Sequence, residues 1–345
     1  MIINQVEDNI PPLAFQSFMA KEARESSVKV KSQLINNQSM MFNLGQQIRD
    51  YAPKAVMLIG RGSSDHAGSF AKYLIEIETQ IPTFAAAPSV STIYGRRLKL
   101  EGMLVIVISQ SGKSPDIIEQ TRQAKEAGAF CIALVNESDS PLKEIVDYLI
   151  PLHAGEEKSV AATKSFILTL SAIMQLVSSW ANSTELMIAT KQIPDALIMA
   201  CEAKPQLTNE LLDGVNNLAV LGRGLGFAIS KEIALKIKEV CAIHAESFSS
   251  AEFLHGPVSL LQQSLKLINI QVNDESKEFH EKQIQELIAR GANITNLHQC
   301  DDNLHPRVAP FAVLQRFYLD IEKIAQEKGL NPDEPVGLKK VTKTI

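Results

Sequence analysis

The stretch HAESFSSAEFLHGP, residues 244 to 257, holds two histidines, two glutamates and three serines. Imidazole titrates near neutrality, and carboxylates exchange protons with carbon and oxygen acids once their surroundings tune them. The segment reads as the end of one helix and a loop. It becomes a site only if a substrate-binding surface stands beside it. His244 and Glu246 carry no catalytic assignment.

A second stretch supplies such a surface. In VISQSGKSPDIIEQ, residues 107 to 120, a buried strand ends at Ser109 and a helix starts with Ser114 as N-cap and Pro115 in first position. Ser109, Gln110, Ser111, Gly112 and Lys113 lie between. Hydroxyls and free backbone N–H groups at a helix N-terminus attract an anion, and Gly112 lets the backbone approach it closely. The loop is not a Walker A motif, because Val107 stands where its first glycine belongs. GRGSSDHAG, residues 60 to 68, puts Ser63 and Ser64 at the carboxyl end of another strand. The dinucleotide fingerprint GxGxxG fails at Asp65, and in a second copy at Phe227. Two serine-rich turns without a dinucleotide code point to one small phosphate. His66, behind those serines, carries no assignment; Arg61 and Arg223 are read as structural at least as readily as anion contacts.

The elements around these turns alternate. Apolar runs at 55–60, 83–87, 103–109, 130–135 and 147–152 read as buried parallel strands separated by helical stretches, which implies βαβ units and a doubly wound sheet. LAVLGRG at 218–224 repeats VMLIGRG at 56–62, and further strands come at 266–272 and 292–297. The chain therefore reads as α/β: an N-terminal helical segment over 1–50, two similar flavodoxin-like parallel-sheet domains over 51–190 and 191–330, and an extended C-terminal tail over 331–345. The apolar run at 165–180 is too short to span a bilayer and is expected to be a buried helix.

The 345 residues suffice for two cores. A net charge of −5 argues against a nucleic-acid partner. Cys131, Cys201, Cys241 and Cys300 are scattered without metal spacing, as in a reducing cytosol, and the first residues lack the basic start and apolar run of a signal peptide. A cytoplasmic protein with no membrane partner, no metal and no cofactor is expected.

Together GRGSSDHAG, SQSGKSPD, SVAATKSF and KIKEVCAIHAESFSSAEFLHGP resemble the sugar isomerase (SIS) family, with the motifs in family order from about residue 20 onwards. The likeness is to the isomerase half of glucosamine-6-phosphate synthase and to stand-alone deaminases. It implies two SIS domains binding a hexose 6-phosphate, with phosphate and sugar contacts at Ser64, Ser109, Gln110, Ser111, Ser114, Val160 and Lys236. It also implies Glu239 as the enolising base, His255 as the ring-opening group and Lys340 as the sugar-reactive lysine of a tail that closes over the site, Lys339 being one register step away. Lys236 and Glu239 stand at i, i+3 and share a helix face. Ala162 replaces a serine of the family's VASTK loop, which removes one hydroxyl contact. In related enzymes the histidine comes from the neighbouring subunit, so the resemblance implies a homodimer with shared active sites.

The activity implied is an isomerase-deaminase converting an amino-hexose 6-phosphate, glucosamine 6-phosphate first, to fructose 6-phosphate and ammonia. Ile2 stands where the synthase carries its processed cysteine, and no glutamine-hydrolysing half is recognised, so glutamine-dependent synthesis is not expected. Galactosamine 6-phosphate as substrate, a deglycase acting on sugar–amino-acid conjugates, and a non-catalytic phosphosugar-binding regulator are the alternatives.

Overall fold

The structure, a computed structural model, describes residues 17 to 340; residues 1–16 of the expected helical segment and 341–345 of the tail lie outside the described residues. The described part of the expected N-terminal helical segment forms two helices, α1 (Phe18–Asn36) and α2 (Gln38–Tyr51). The break falls at Asn37, whose buried amide donates to the Pro151 carbonyl and accepts from His153 Nε2. A side chain engaged with a neighbouring loop in this way fixes the corner.

The first sheet contains β1 (Val56–Ile59), β2 (Thr83–Ala85), β3 (Leu104–Ile108), β4 (Phe130–Val135) and β5 (Tyr148–Pro151). All are parallel, in the order β2-β1-β3-β4-β5. Its connections include α3 (Ser63–Thr79), α4 (Pro88–Thr92) and α5 (Pro115–Glu126). Next come α6 (Lys164–Trp180) and α7 (Thr184–Glu202). All 17 residues of α6 are buried, as the apolar run requires. No helix among the described residues is long and apolar enough to cross a membrane.

The second sheet contains β6 (Asn217–Gly222), β7 (His244–Ser249), β8 (Lys266–Gln271) and β9 (Asn293–His298), in the order β7-β6-β8-β9. With it go α8 (Leu225–Cys241), α9 (Ser250–Leu254), α10 (Lys277–Ala289) and α11 (Ala309–Glu327). The order repeats that of the first sheet without its fifth strand. Residues 244–249, expected to be a helix end and loop, are instead an edge strand, paired in register from Asn217↔His244 to Gly222↔Ser249. The run HAESFS is too polar to announce a buried strand; backbone pairing with β6 makes it one.

Strand residues alternate between two environments. Val56 and Leu58 of β1 face a central core shared with α1, α2, α6, α8 and α11, whereas Met57 and Ile59 face an outer core beside α5. Val220 of β6 joins the same central core, so the helices lie between the two sheets. Arg307, buried ahead of α11, ties the halves by donating to Glu78 of α3 and, through both terminal nitrogens, to Glu275.

The repeated Gly-Arg-Gly arises from how tightly strand meets helix. Gly62 and Gly224, just before α3 and α8, have φ of +55° and +53°. A Cβ on Gly60 would lie 2.9 Å from the Ser64 carbonyl carbon, and on Gly222 2.5 Å from that of Gly226. Gly222→Ala is expected to cost about 1–3 kcal/mol through overpacking, read as a fall in the urea unfolding midpoint; an unchanged midpoint would contradict this tight turn.

Candidate active site

Because β1 and β3 are neighbours while their connections leave in opposite directions, a crevice opens beyond their carboxyl ends. Ser64 stands in the first turn of α3 at one side and the 109–114 loop at the other. Ser109 Oγ accepts from Gly112 N at 3.1 Å and Ser111 Oγ from Lys113 N at 3.3 Å, which curls the loop; Gly112 takes φ +60°. Ser114 and Pro115 hold the expected cap and first positions of α5, but the Ser114 hydroxyl does not bond the helix. Among the described residues the side chains of Ser64, Gln110 and Ser114 make no hydrogen bond, and each is only half-buried. Lys113 is paired outward with Asp139 at 3.1 Å.

The matching crevice between β6 and β8 is built differently. Asp274 occupies it, its carboxylate accepting from Ser276 N at 2.8 Å and Ser276 Oγ at 2.5 Å. A Cβ on Gly224 would lie 3.2 Å from that carboxylate. A fixed negative charge repels an anion, so only the first crevice has the chemistry of a phosphate site.

Lys236 and Glu239 lie on one face of α8, as their spacing predicts, with Lys236 Nζ in contact with Glu239 Oε2. One turn earlier the same ammonium stands 3.2 Å from Glu232 Oε1. Glu232 is fully buried and also accepts from Ser63 Oγ at 3.0 Å, while His66 Nδ1 lies 2.9 Å from its Oε2. Ser63 and His66 belong to the first turn of α3, so this cluster joins the serine-lined crevice to the carboxylates. Burial pushes the Glu232 carboxyl up, but Lys236, His66 and Ser63 outweigh it and hold the group below its ordinary range. Burial pushes Lys236 down, and Glu232 and Glu239 more than offset this, holding its ammonium above the usual lysine range. Glu239 retains 22% of its side-chain exposure, so it alone of the three faces solvent.

The loop bearing VAATK closes another side. Val160 N donates to the Asp333 carbonyl, and the Asp333 carboxylate accepts from Phe18 N and Met19 N, so the tail and the start of α1 are fastened together. Buried Glu157 accepts from Thr163 N, Ser165 N and Ser165 Oγ at the start of α6. Lys340 Nζ donates to the Ser159 carbonyl and stands 3.5 Å from Glu157 Oε2, whereas Lys339 makes no such contact among the described residues. Between α8 and the tail lies a groove of ≈ 390 Å³ lined by Glu239, Leu330, Pro335 and Leu338. A larger groove of ≈ 740 Å³ between α1, α2, α6 and α7 is lined by apolar residues, amides, hydroxyls and two lysines, without a carboxylate.

His255 is not gathered into this arrangement. It comes directly after α9, is exposed, and its imidazole makes no hydrogen bond or ion pair among the described residues. Glu232, Glu157 and Tyr318 are what sequence reasoning left out; it read Ser63 only as a serine of the phosphate-type turn and gave His66 no role. The Tyr318 hydroxyl is fully buried and has no partner among the described residues; burial, with Glu232, Glu157 and Glu239 around it, pushes the phenol well above its ordinary value. The positions of Glu232, Lys236 and Glu239 at i, i+4 and i+7 were the one available signal. No group of three or more metal-ligating side chains forms among the described residues.

Paired doubly wound parallel sheets, one carrying a phosphate-type crevice at its switch point, define the class. The SIS domain profile matches residues 51–179 and 211–305, and the chain belongs to the SIS domain family. It is 31% identical to the glutamine–fructose-6-phosphate aminotransferase (isomerizing) of Sulfurisphaera tokodaii; the match covers 94% of this chain and 56% of that protein, so the chain spans little more than half the relative's length. A candidate phosphosugar isomerase from Silicibacter pomeroyi DSS-3 superposes with a TM-score of 0.87 at 33% identity, covering 92% of this chain and 100% of that one. The C-terminal domain of glucosamine-fructose-6-phosphate aminotransferase from Francisella tularensis gives 0.81 at 25% identity, covering 93% and 99%.

Glu232 stabilises the fold above the ordinary carboxylate value of 4.5, and this is lost as pH falls through its lower folded value. Lys236 contributes below 10.5, and this is lost as pH rises through its higher folded value. Lys236→Met leaves a buried carboxylate unpaired and is expected to cost about 3–5 kcal/mol near neutral pH. The Glu232→Gln/Lys236→Met double variant should recover part of that loss in chemical denaturation; no recovery would mean that the pair is not the source.

Proposed function

We propose that this protein is a phosphosugar isomerase-deaminase that converts an amino-hexose 6-phosphate, glucosamine 6-phosphate first, to fructose 6-phosphate and ammonia. The observation that carries the reading is the partly exposed Glu239 carboxylate against the buried Lys236 ammonium, at the end of a cluster that begins beside the serine crevice. The name of the Sulfurisphaera relative couples amine transfer from glutamine to isomerisation of fructose 6-phosphate. The same proton shifts run backwards, with water displacing the amine, give the deaminase.

In this reading Ser64, Ser109, Gln110, Ser111 and Ser114 hold the phosphate, and Val160 and Lys340 close over the sugar. After ring opening, Glu239 takes the C2 proton as O1 gains one, forming the enolamine. Glu239 returns the proton to C1 while the nitrogen loses one, leaving the C2 imine. Water adds to C2 and ammonia leaves as the ketone forms. Lys236 stands against that carboxylate as its counter-charge when it takes the C2 proton. His255, unpartnered among the described residues of its own chain, suits a histidine presented to a second copy, so a homodimer with shared sites belongs to the proposal.

Ammonia release from glucosamine 6-phosphate and galactosamine 6-phosphate tests the reading. The wild type should release ammonia from one epimer in preference, and Glu239→Gln should lower kcat by at least about 100-fold. Absence of release from both sugars, with thermal stabilisation by either, would replace the reading by a deglycase or a phosphosugar-binding regulator.

A further inference from the structure

Four groups form a continuous line through the α3–α8 interface: His66 Nδ1 to Glu232 Oε2 at 2.9 Å, Glu232 Oε1 to Lys236 Nζ at 3.2 Å, and Lys236 Nζ in contact with Glu239 Oε2. One ammonium is thus divided between two carboxylates. How strongly Glu232 draws it depends on what else Glu232 is bonded to, and apart from Lys236 those partners are Ser63 and His66. The other charged groups nearby are committed elsewhere. Lys231 binds Asp65 at 3.2 Å and Ser69 at 2.8 Å, and Glu157 is held by Ser165 and Lys340. Tyr318 of α11 is kept neutral by burial among Glu232, Glu157 and Glu239.

We propose that His66 is a positioning residue for proton transfer: donating Nδ1–H to Glu232, it satisfies the buried carboxylate so that the Lys236 ammonium stays on Glu239. This rests on reading Glu239 as the base. It assigns His66 no contact with substrate. The Glu232 bond fixes the tautomer, as a carboxylate commonly does for a catalytic or ligating imidazole.

Without the His66 donor, Glu232 keeps Ser63 and Lys236 alone and pulls the ammonium toward itself. Glu239 then loses part of its counter-charge, and its carboxyl must titrate at higher pH. A glutamine at 66 carries an N–H donor of comparable reach, so His66→Gln should restore what His66→Leu removes.

Two readouts are taken on His66→Leu and His66→Gln. The first is kinetic: His66→Leu should lower kcat by about 10- to 100-fold, as a small misplacement of a reacting group does, with KM within about threefold, and His66→Gln should return most of the loss. The second is the carbon-13 titration of the Glu239 side-chain carboxyl in the free protein, which needs no turnover. It should move upward in His66→Leu and back in His66→Gln. An unmoved Glu239 titration in a folded His66→Leu protein overturns the proposal, whatever the activity. So does a glutamine variant no better than leucine in both readouts, which would point to acid–base chemistry at His66 Nε2. If the wild type turns over none of the hexosamine phosphates, the proposed function fails while the titration still decides this inference.

Discussion

Glu232 is a carboxylate from which the fold has removed all solvent, and the site depends on keeping it charged. Taking an ion out of water costs several kcal/mol, which only close and well-directed partners offset. Lys236 supplies the opposite charge from one turn along α8, and Ser63 and His66 supply hydrogen bonds from α3. Those partners converge only when the amino end of α3 is held against the middle of α8. That contact fixes the distance between the serine-lined crevice of one sheet and the carboxylates beside the other. Position within the site and stability of the interface are one requirement.

The two halves share a turn and differ in their later loops. Both Gly-Arg-Gly segments exist because strand and helix approach too closely for a Cβ, and both place a helix N-terminus over a switch point. Beyond β3 the loop offers hydroxyls and backbone N–H groups, whereas beyond β8 it offers Asp274 bonded to its own neighbours. The two halves thus carry one anion-type crevice and one closed by its own carboxylate. The second half contributes through α8 instead.

The tail is fastened at two points, Asp333 and Lys340. Asp333 uses its carbonyl on Val160 and its carboxylate on the first two amides of α1, where negative charge is favoured. Lys340 then reaches the Ser159 carbonyl and the buried Glu157.

Patterns of period and punctuation determined much of this protein from the sequence alone. Buried strands with helices between them marked out both sheets but one strand, the apolar run marked α6, and Ser114-Pro115 marked the start of α5, because local propensity and burial act over a few residues. The i, i+3 relation of Lys236 and Glu239 was equally local. What only the tertiary structure decided involves residues far apart in the chain: the break at Asn37, the polar edge strand β7, the closing of the second crevice by Asp274, and above all the meeting of Ser63 and His66 with Glu232. No periodicity announces a buried carboxylate whose partners lie on another helix, since its solvation is settled only when the two helices pack.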